Sequence, residues 1–359
     1  AAAGAPRIVV ERVVGGLQEP VSLVFLSPTH WLVAERRSGR IRWIEHGRLR
    51  AEPFAQVAVP TPAGYHEYGL LGLAVDPDYP DRPFVYAFHT VGSGGSATGQ
   101  RIVRFTVQNG RGTDPTIIVD GLPAGQRCCH NGGRILFGSD GMLYVTLGDT
   151  QRQEQAQNYD ALPGKVLRYR PDGTVPADNP FELQRTGWAG TEPNNPNTPP
   201  EQLGGFRTPV YAIGFRNPFG IALNRDTGDI YVSDNGPDHG DEINHLATGD
   251  HYGWPEVMGA SGDARFRNPL WSTGRSIIAP TGMAFYAGPD FPQFRGHLFF
   301  AAYNDGRLRR AAFDGPDRIA SVAVVAEAGT NARLDVAMGP DGRLYFTSLD
   351  GIYRLRAGQ

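Results

Sequence analysis

Short apolar or alternating runs rich in Val, Ile, Tyr and Phe recur along the chain between turn residues, and no long run of helical period interrupts them. One strand-turn-strand unit repeats in degenerate form. It appears as Ser22 to Ala34 around Ser27-Pro28, Leu73 to Phe88 around Asp76-Pro77-Asp78, and Ile135 to Leu147 around Ser139-Asp140-Gly141. It returns as Ile221 to Val232 around Asp226-Thr227-Gly228, Met283 to Ala301 around Gly288-Pro289-Asp290, and Val336 to Thr347 around Gly339-Pro340-Asp341-Gly342. Most units are followed by a third strand of the form Gly-x-[Ile/Val/Leu]-x-Arg, as in Gly39 to Trp43, Gly164 to Arg168, Gly306 to Arg309 and Gly351 to Arg354. Six units leave roughly 60 residues each, room for a four-stranded sheet with long loops. The pattern predicts an all-β, six-bladed β-propeller of four-stranded antiparallel sheets, with residues 1–359 as one domain. The N-terminal strand Arg7 to Val14 would close the last blade beside Gly351 to Arg356 and so remove an open sheet edge. A β-sandwich or a pair of small β domains is the competing architecture.

Three connections are too long for hairpin turns: Gly92 to Gly99, Gln151 to Leu162, and the Pro- and Asn-rich Pro171 to Thr208. On a rigid scaffold such loops carry binding, and the alternative is solvated decoration. Composition narrows the partner. A formal charge of −3 supplies no basic stripe for nucleic acid and no polybasic membrane anchor, and no apolar run reaches the ~18 residues of a membrane span. The expected partner is a small molecule, with the chain a monomer or homodimer. The Ala1-Ala2-Ala3-Gly4-Ala5 start lacks the apolar core of a signal peptide and is compatible with the remnant left after cleavage, which would fit a periplasmic or secreted protein.

The chemistry centres on Arg127-Cys128-Cys129-His130-Asn131-Gly132-Gly133-Arg134. His130 precedes the strand from Ile135, and Asp149 follows its hairpin partner, so both emerge at one end of the hairpin. A histidine, with an ordinary pKa of ~6.5, beside an orienting carboxylate is the pattern of a general base. The alternative for His130 alone is a structural turn histidine. Cys128 and Cys129 are the two cysteines of the chain. Adjacent cysteines lack the spacing of redox motifs and zinc knuckles, which leaves a reduced buried pair or a strained vicinal disulfide, both open at this point.

Seven short motifs then stand in one order: Glu35-Arg36-x-x-Gly39-x-Ile41, Gly69-Leu70-Leu71-Gly72-Leu73-Ala74, His130 to Ile135, Gly164 to Arg168, Gly214-Phe215-Arg216-Asn217-Pro218-x-Gly220, Asp241-Glu242-Ile243-Asn244, and Tyr252-Gly253-Trp254-Pro255. Together they resemble the soluble quinoprotein aldose and glucose dehydrogenases over nearly the whole chain. The resemblance implies a propeller that binds pyrroloquinoline quinone (PQQ) and Ca²⁺ and oxidises the C1 hydroxyl of an aldose sugar to a lactone, passing electrons to an unidentified acceptor. It makes His130 the base and Asp149 its orienting carboxylate. Arg216, with Asn217, becomes the cofactor arginine facing the quinone oxygen. The carbonyls of Gly236 and Pro237 become calcium ligands, and Glu242 and Tyr252 match a second, structural calcium.

Departures from the family pattern accompany these matches. Glu67-Tyr68 stands where glucose dehydrogenases tend to have glutamine, and a carboxylate beside an anionic cofactor calls for calcium, a proton or a cation nearby. Asn304 replaces an expected basic residue, and the expected Arg-x-Arg is reduced to Arg333-Leu334-Asp335. Arg307 or a shifted Arg333 would compensate. Cys128 and Cys129 would lie beside the quinone, by analogy with eight-bladed quinoprotein alcohol dehydrogenases. Two other readings remain: a propeller that has lost the quinone and binds carbohydrate or protein, and a calcium-dependent lactonase-type hydrolase.

Overall fold

The computed structural model describes residues 7–64, 66–125, 128–182, 207–325 and 331–358. They form six antiparallel sheets arranged as a six-bladed propeller. The first strands of the blades are Pro20–Phe25, Leu70–Val75, Ile135–Phe137, Pro218–Leu223, Pro280–Phe285 and Val336–Met338. Each touches the first strands of both neighbouring blades, so they form the ring around the central axis. In the last blade, Ile8–Gly15 pairs with Gly351–Ala357, in register from Ile8 opposite Ala357 to Gly15 opposite Gly351. The ends of the chain thus close the ring as the sequence predicts.

The repeat is physically a turn lock. In three blades the turn aspartate accepts a backbone N–H two residues on and the hydroxyl of a tyrosine from the next strand. Asp76 serves Asp78 and Tyr86, Asp140 serves Met142 and Tyr144, and Asp341 serves Arg343 and Tyr345. The aspartate fixes the hairpin, and the tyrosine ring joins the apolar layer between blades. Those layers form six clusters of buried side chains, one between each pair of adjacent blades. The cluster between the second and third blades, for example, sets Tyr86, Phe88 and Ile102 against Ile135, Leu143 and Leu167.

Some boundaries differ from the sequence reading. Gly92 to Gly99 is a hairpin rather than a loop, because Phe84–Ser93 and Ser96–Gln108 remain paired almost to the turn at Gly94-Gly95. The third strand of the fifth blade starts at Arg309, since Gly306 still bonds back to Ala302 in a turn. The first blade splits its outer strand into Arg48–Leu49 and Ala55–Gln56. Of Pro171 to Thr208, residues 183–206 lie outside the described residues; before them, Asp178 and Asn179 fold back onto Arg168. No helix among the described residues is long and apolar enough to cross a membrane.

Antiparallel pairing decides where function sits. All six first strands run the same way along the axis, so the segments leading into them emerge on one face, together with the connections between second and third strands. Glu67, His130, Arg216 and Arg333 belong to the first set, and Asp149, Gly236 and Asn304 to the second. Below this face, on the axis, Arg134 forms an ion pair with Asp335 at 3.0 Å and donates to the Leu334 carbonyl. Asp335, where an arginine was expected, thus balances a buried arginine of the third blade.

Candidate active site

His130 adopts a positive φ of 61°, and its carbonyl accepts the Thr150 N–H. Gly148 makes that approach possible, since a Cβ there would lie 2.2 Å from the His130 oxygen. The result brings the two hairpin ends together, with His130 Nδ1 2.7 Å from Asp149 Oδ1. Asp149 also accepts the Gln151 N–H on Oδ1 and the Trp254 indole N–H on Oδ2. Its side chain is 2% exposed, against 16% for His130. A buried carboxylate favours the imidazole proton on Nδ1, and Nε2 has no protein partner among the described residues.

Glu67 stands behind this turn. Its carboxylate accepts the N–H groups of His130 and Asn131 at 2.7 and 3.3 Å and the Asn217 amide at 3.2 and 3.3 Å. These N–H donors serve the carboxylate, and through them the residue acts on the backbone of the turn. Cys128 and Cys129, next to His130, are bonded to each other, and Gln151 Nε2 lies 3.7 Å from the Cys128 sulfur.

Across the face, Arg216 Nη1 donates to the carbonyls of Asn235 and Gly236, each at 2.9 Å, and its Cζ lies 5.5 Å from the Trp254 ring centre. Its backbone and that of Asn217 are fixed by Asp234, whose carboxylate accepts both N–H groups. Burial, together with the charge of Glu242, pushes the Asp234 pKa above the usual carboxylate range. Arg333 donates to the carbonyls of Tyr303 and Asn304 and to Asn331, so Asn304 enters the site through its backbone. Neither Arg216 nor Arg333 forms an ion pair with a carboxylate among the described residues, and the hydrogen bonds of both guanidinium groups go to carbonyl oxygens.

The candidate oxygen cradle lies in the segment Asn235-Gly236-Pro237. Gly236 follows the sequence argument for close approach, since a Cβ on it would lie 1.8 Å from the His239 oxygen. Its carbonyl also accepts the Arg216 guanidinium, and Pro237 beside it is exposed. Asn235 Oδ1 is buried without a partner among the described residues. No three His, Cys, Asp or Glu side chains gather into a cage among the described residues, so the donors here are amide and backbone oxygens, which suit a hard cation such as calcium. Glu242 and Tyr252 do not share partners. Glu242 accepts the Asn244 amide and the Gly259 N–H, and burial raises its pKa to about 7. Tyr252 donates its hydroxyl to the His245 carbonyl and accepts the Ala247 N–H.

Residues 17–354 match the glucose/sorbosone dehydrogenase family. The chain belongs to that family. An aldose sugar dehydrogenase of Escherichia coli K12 is 29% identical over 343 residues, spanning 92% of this chain and 86% of the relative. Among solved structures, a Thermus thermophilus protein assigned as an oxidoreductase (glucose dehydrogenase) is 36% identical with a TM-score of 0.81, covering 97% of this chain and all of the other. The PQQ-bound aldose sugar dehydrogenase of Streptomyces coelicolor is 28% identical with a TM-score of 0.77, covering 99% of this chain. Against this family background, two site residues had gone without a role in the sequence reading. Trp254 stood in a motif, and a buried indole N–H that must find an acceptor was its signal. Asp241 bonds the N–H groups of Gly236, Ile278 and Ala279 and thereby shapes the oxygen cradle.

Proposed function

We propose that this glucose/sorbosone dehydrogenase family member oxidises the C1 hydroxyl of aldose sugars to the lactone, with PQQ as hydride acceptor and calcium beside it. The observation that carries the reading is the His130–Asp149 pair, with Nε2 free, on the face where Arg216 and Arg333 lack carboxylate partners. Two guanidinium groups without a carboxylate ion-pair partner among the described residues suit an anionic quinone, and the oxygens of Asn235, Gly236 and Pro237 suit calcium. When bound, the quinone supplies the two-electron acceptor, and calcium polarises it.

In this reading His130 Nε2 takes the C1 hydroxyl proton as the hydride leaves C1. Asp149 keeps the ring in the right tautomer and stabilises the imidazolium. Arg216, permanently charged, offsets negative charge that develops on an acceptor oxygen. The Cys128–Cys129 bond suits an oxidising compartment, in keeping with a periplasmic or secreted location.

The test is reconstitution. Purified protein receives PQQ and Ca²⁺, and dye reduction is followed with glucose, galactose and maltose; activity that requires both additions and is abolished by EDTA is the expected result. Sugar-independent, quinone-independent lactone hydrolysis would select the hydrolase reading instead. Absence of both activities, with calorimetry detecting no quinone binding, would select the binding module.

A further inference from the structure

Asp149 is a buried carboxylate whose two oxygens are unequally served. Oδ1 is shared by His130 Nδ1 and the Gln151 N–H, each at 2.7 Å. Oδ2 has one donor among the described residues, the indole N–H of Trp254 at 2.9 Å. The backbone that carries this indole is held at several points. The Trp254 backbone N–H bonds the Gly214 carbonyl, the Tyr252 backbone N–H bonds the Ile213 carbonyl, and Gln157 donates to the Gly253 carbonyl. The edge of the ring therefore meets the carboxylate while its face meets Arg216, with the guanidinium carbon 5.5 Å from the ring centre.

We propose that Trp254 is a positioning residue for the base: its indole N–H pins Asp149 Oδ2 so that Oδ1 faces His130, and it thereby sets how tightly the pair holds the substrate proton. The proposal rests on His130 being the base. Without the indole donor, Asp149 Oδ2 is buried and unpaired and its charge is less dispersed. The pair then binds its proton more tightly, whichever partner carries it. The other charged groups facing the pair stay in place: Glu67 on the His130 amide and Arg216 beyond the indole.

The experiment replaces Trp254 by β-(3-benzothienyl)alanine, which puts sulfur in place of the N–H while keeping the ring shape and the face toward Arg216. Trp254→Phe is made alongside. Two quantities are read: protonation of the His130 ring by NMR in quinone-free protein, and the pH profile of kcat/KM after reconstitution. In the isostere, the midpoint of His130 protonation should rise by about one pH unit, a tenfold change in proton affinity. The acid limb of kcat/KM should move up with it, because the base must be neutral to act. Above that limb, sugar KM should stay at the wild-type value. An unchanged midpoint in the folded isostere overturns the proposal. A midpoint that moves under a fixed acid limb overturns His130 as the base, and Trp254's part in catalysis with it, while the link from Trp254 to Asp149 stands.

Discussion

The carboxylate of Glu67 accepts the backbone N–H of His130 at 2.7 Å, so the turn presenting the proposed base is held by a side chain 63 positions earlier in the chain. The same carboxylate takes the Asn131 N–H and the Asn217 amide, tying the segments that enter the second, third and fourth blades into one unit. Charge-assisted bonds of this kind are worth about 1.5–3 kcal/mol each, and His130 needs them to hold its left-handed backbone conformation. Glu67→Gln keeps one acceptor oxygen and turns an NH₂ toward the donors. Turnover should fall by about ten- to a hundredfold from misplacement of the imidazole. Amide hydrogen exchange at His130 and Asn131 should accelerate in the same variant, and wild-type exchange there would remove Glu67 from this role.

His130→Gln should leave the melting curve and quinone binding close to wild type and lower kcat by about 10²–10⁴, the usual contribution of a positioned base. Asp149→Asn should be impaired as well, since a neutral amide neither fixes the tautomer nor stabilises the imidazolium. Steady-state kinetics of reconstituted enzyme decide this, and a His130→Gln variant with near wild-type kcat would end the assignment.

The fold was legible because the Asp-containing turns that punctuate the sequence are the same groups that lock the hairpins, as Asp140 with Tyr144 illustrates. The pairing of His130 with Asp149 was legible for a related reason, since a hairpin of known register brings its two ends together. What stayed hidden were contacts made between blades. Asp335 looked like a lost cation and is the partner of Arg134, 201 positions away by their numbering, a pairing that local pattern does not encode. Glu67 read as a carboxylate calling for calcium, a proton or a cation nearby, and its contacts with the His130, Asn131 and Asn217 N–H groups were not visible in the local pattern. The hairpin at Gly92 to Gly99 was mistaken for a loop because its glycines read as turn residues, although only Gly94 and Gly95 form the turn between the paired strands.

Cys128 and Cys129 form a bond one residue from His130. Protein unfolded in denaturant without reductant should therefore yield no free thiol. Reduction of the folded, quinone-free protein should change quinone affinity, because the loop that carries the proposed base loses its constraint. Two titratable thiols in enzyme of full activity would overturn both statements.

Lys165 is fully buried and donates to three carbonyls, those of Gln155, Ala156 and Pro163, at 2.7, 2.9 and 2.7 Å. Burial drives its pKa well below that of an exposed lysine, while three acceptors use all three N–H groups of the ammonium. The side chain thus fastens the Gln151 to Leu162 loop to the third blade. Lys165→Met keeps the stem but leaves three carbonyls without their donor, which should cost about 2–4 kcal/mol in urea unfolding and expose the loop to limited proteolysis. A variant within about 0.5 kcal/mol of wild type, with the loop still protected, would show that the lysine is dispensable there.

His89 supplies the clearest pH dependence. It is buried in the second blade with Nδ1 bonded to the Thr90 carbonyl, and burial lowers its pKa to about 4. The unfolded chain binds a proton at this residue near pH 6.5, whereas the folded chain resists it down to about 4. Between those values the unfolded state holds more protons, so the stability contributed by neutral His89 is intact above about pH 6.5 and is lost as pH falls through the window. From about pH 7.5 to 4.5 this one residue should remove about 2–3 kcal/mol. His89→Asn keeps a donor for the Thr90 carbonyl and has nothing to titrate. Urea unfolding of both proteins at both pH values isolates the effect from every other titrating group: the wild type should lose more stability than the variant by that amount. Equal losses would mean that the protonated ring is accommodated in the fold, and that acid instability arises elsewhere in the propeller.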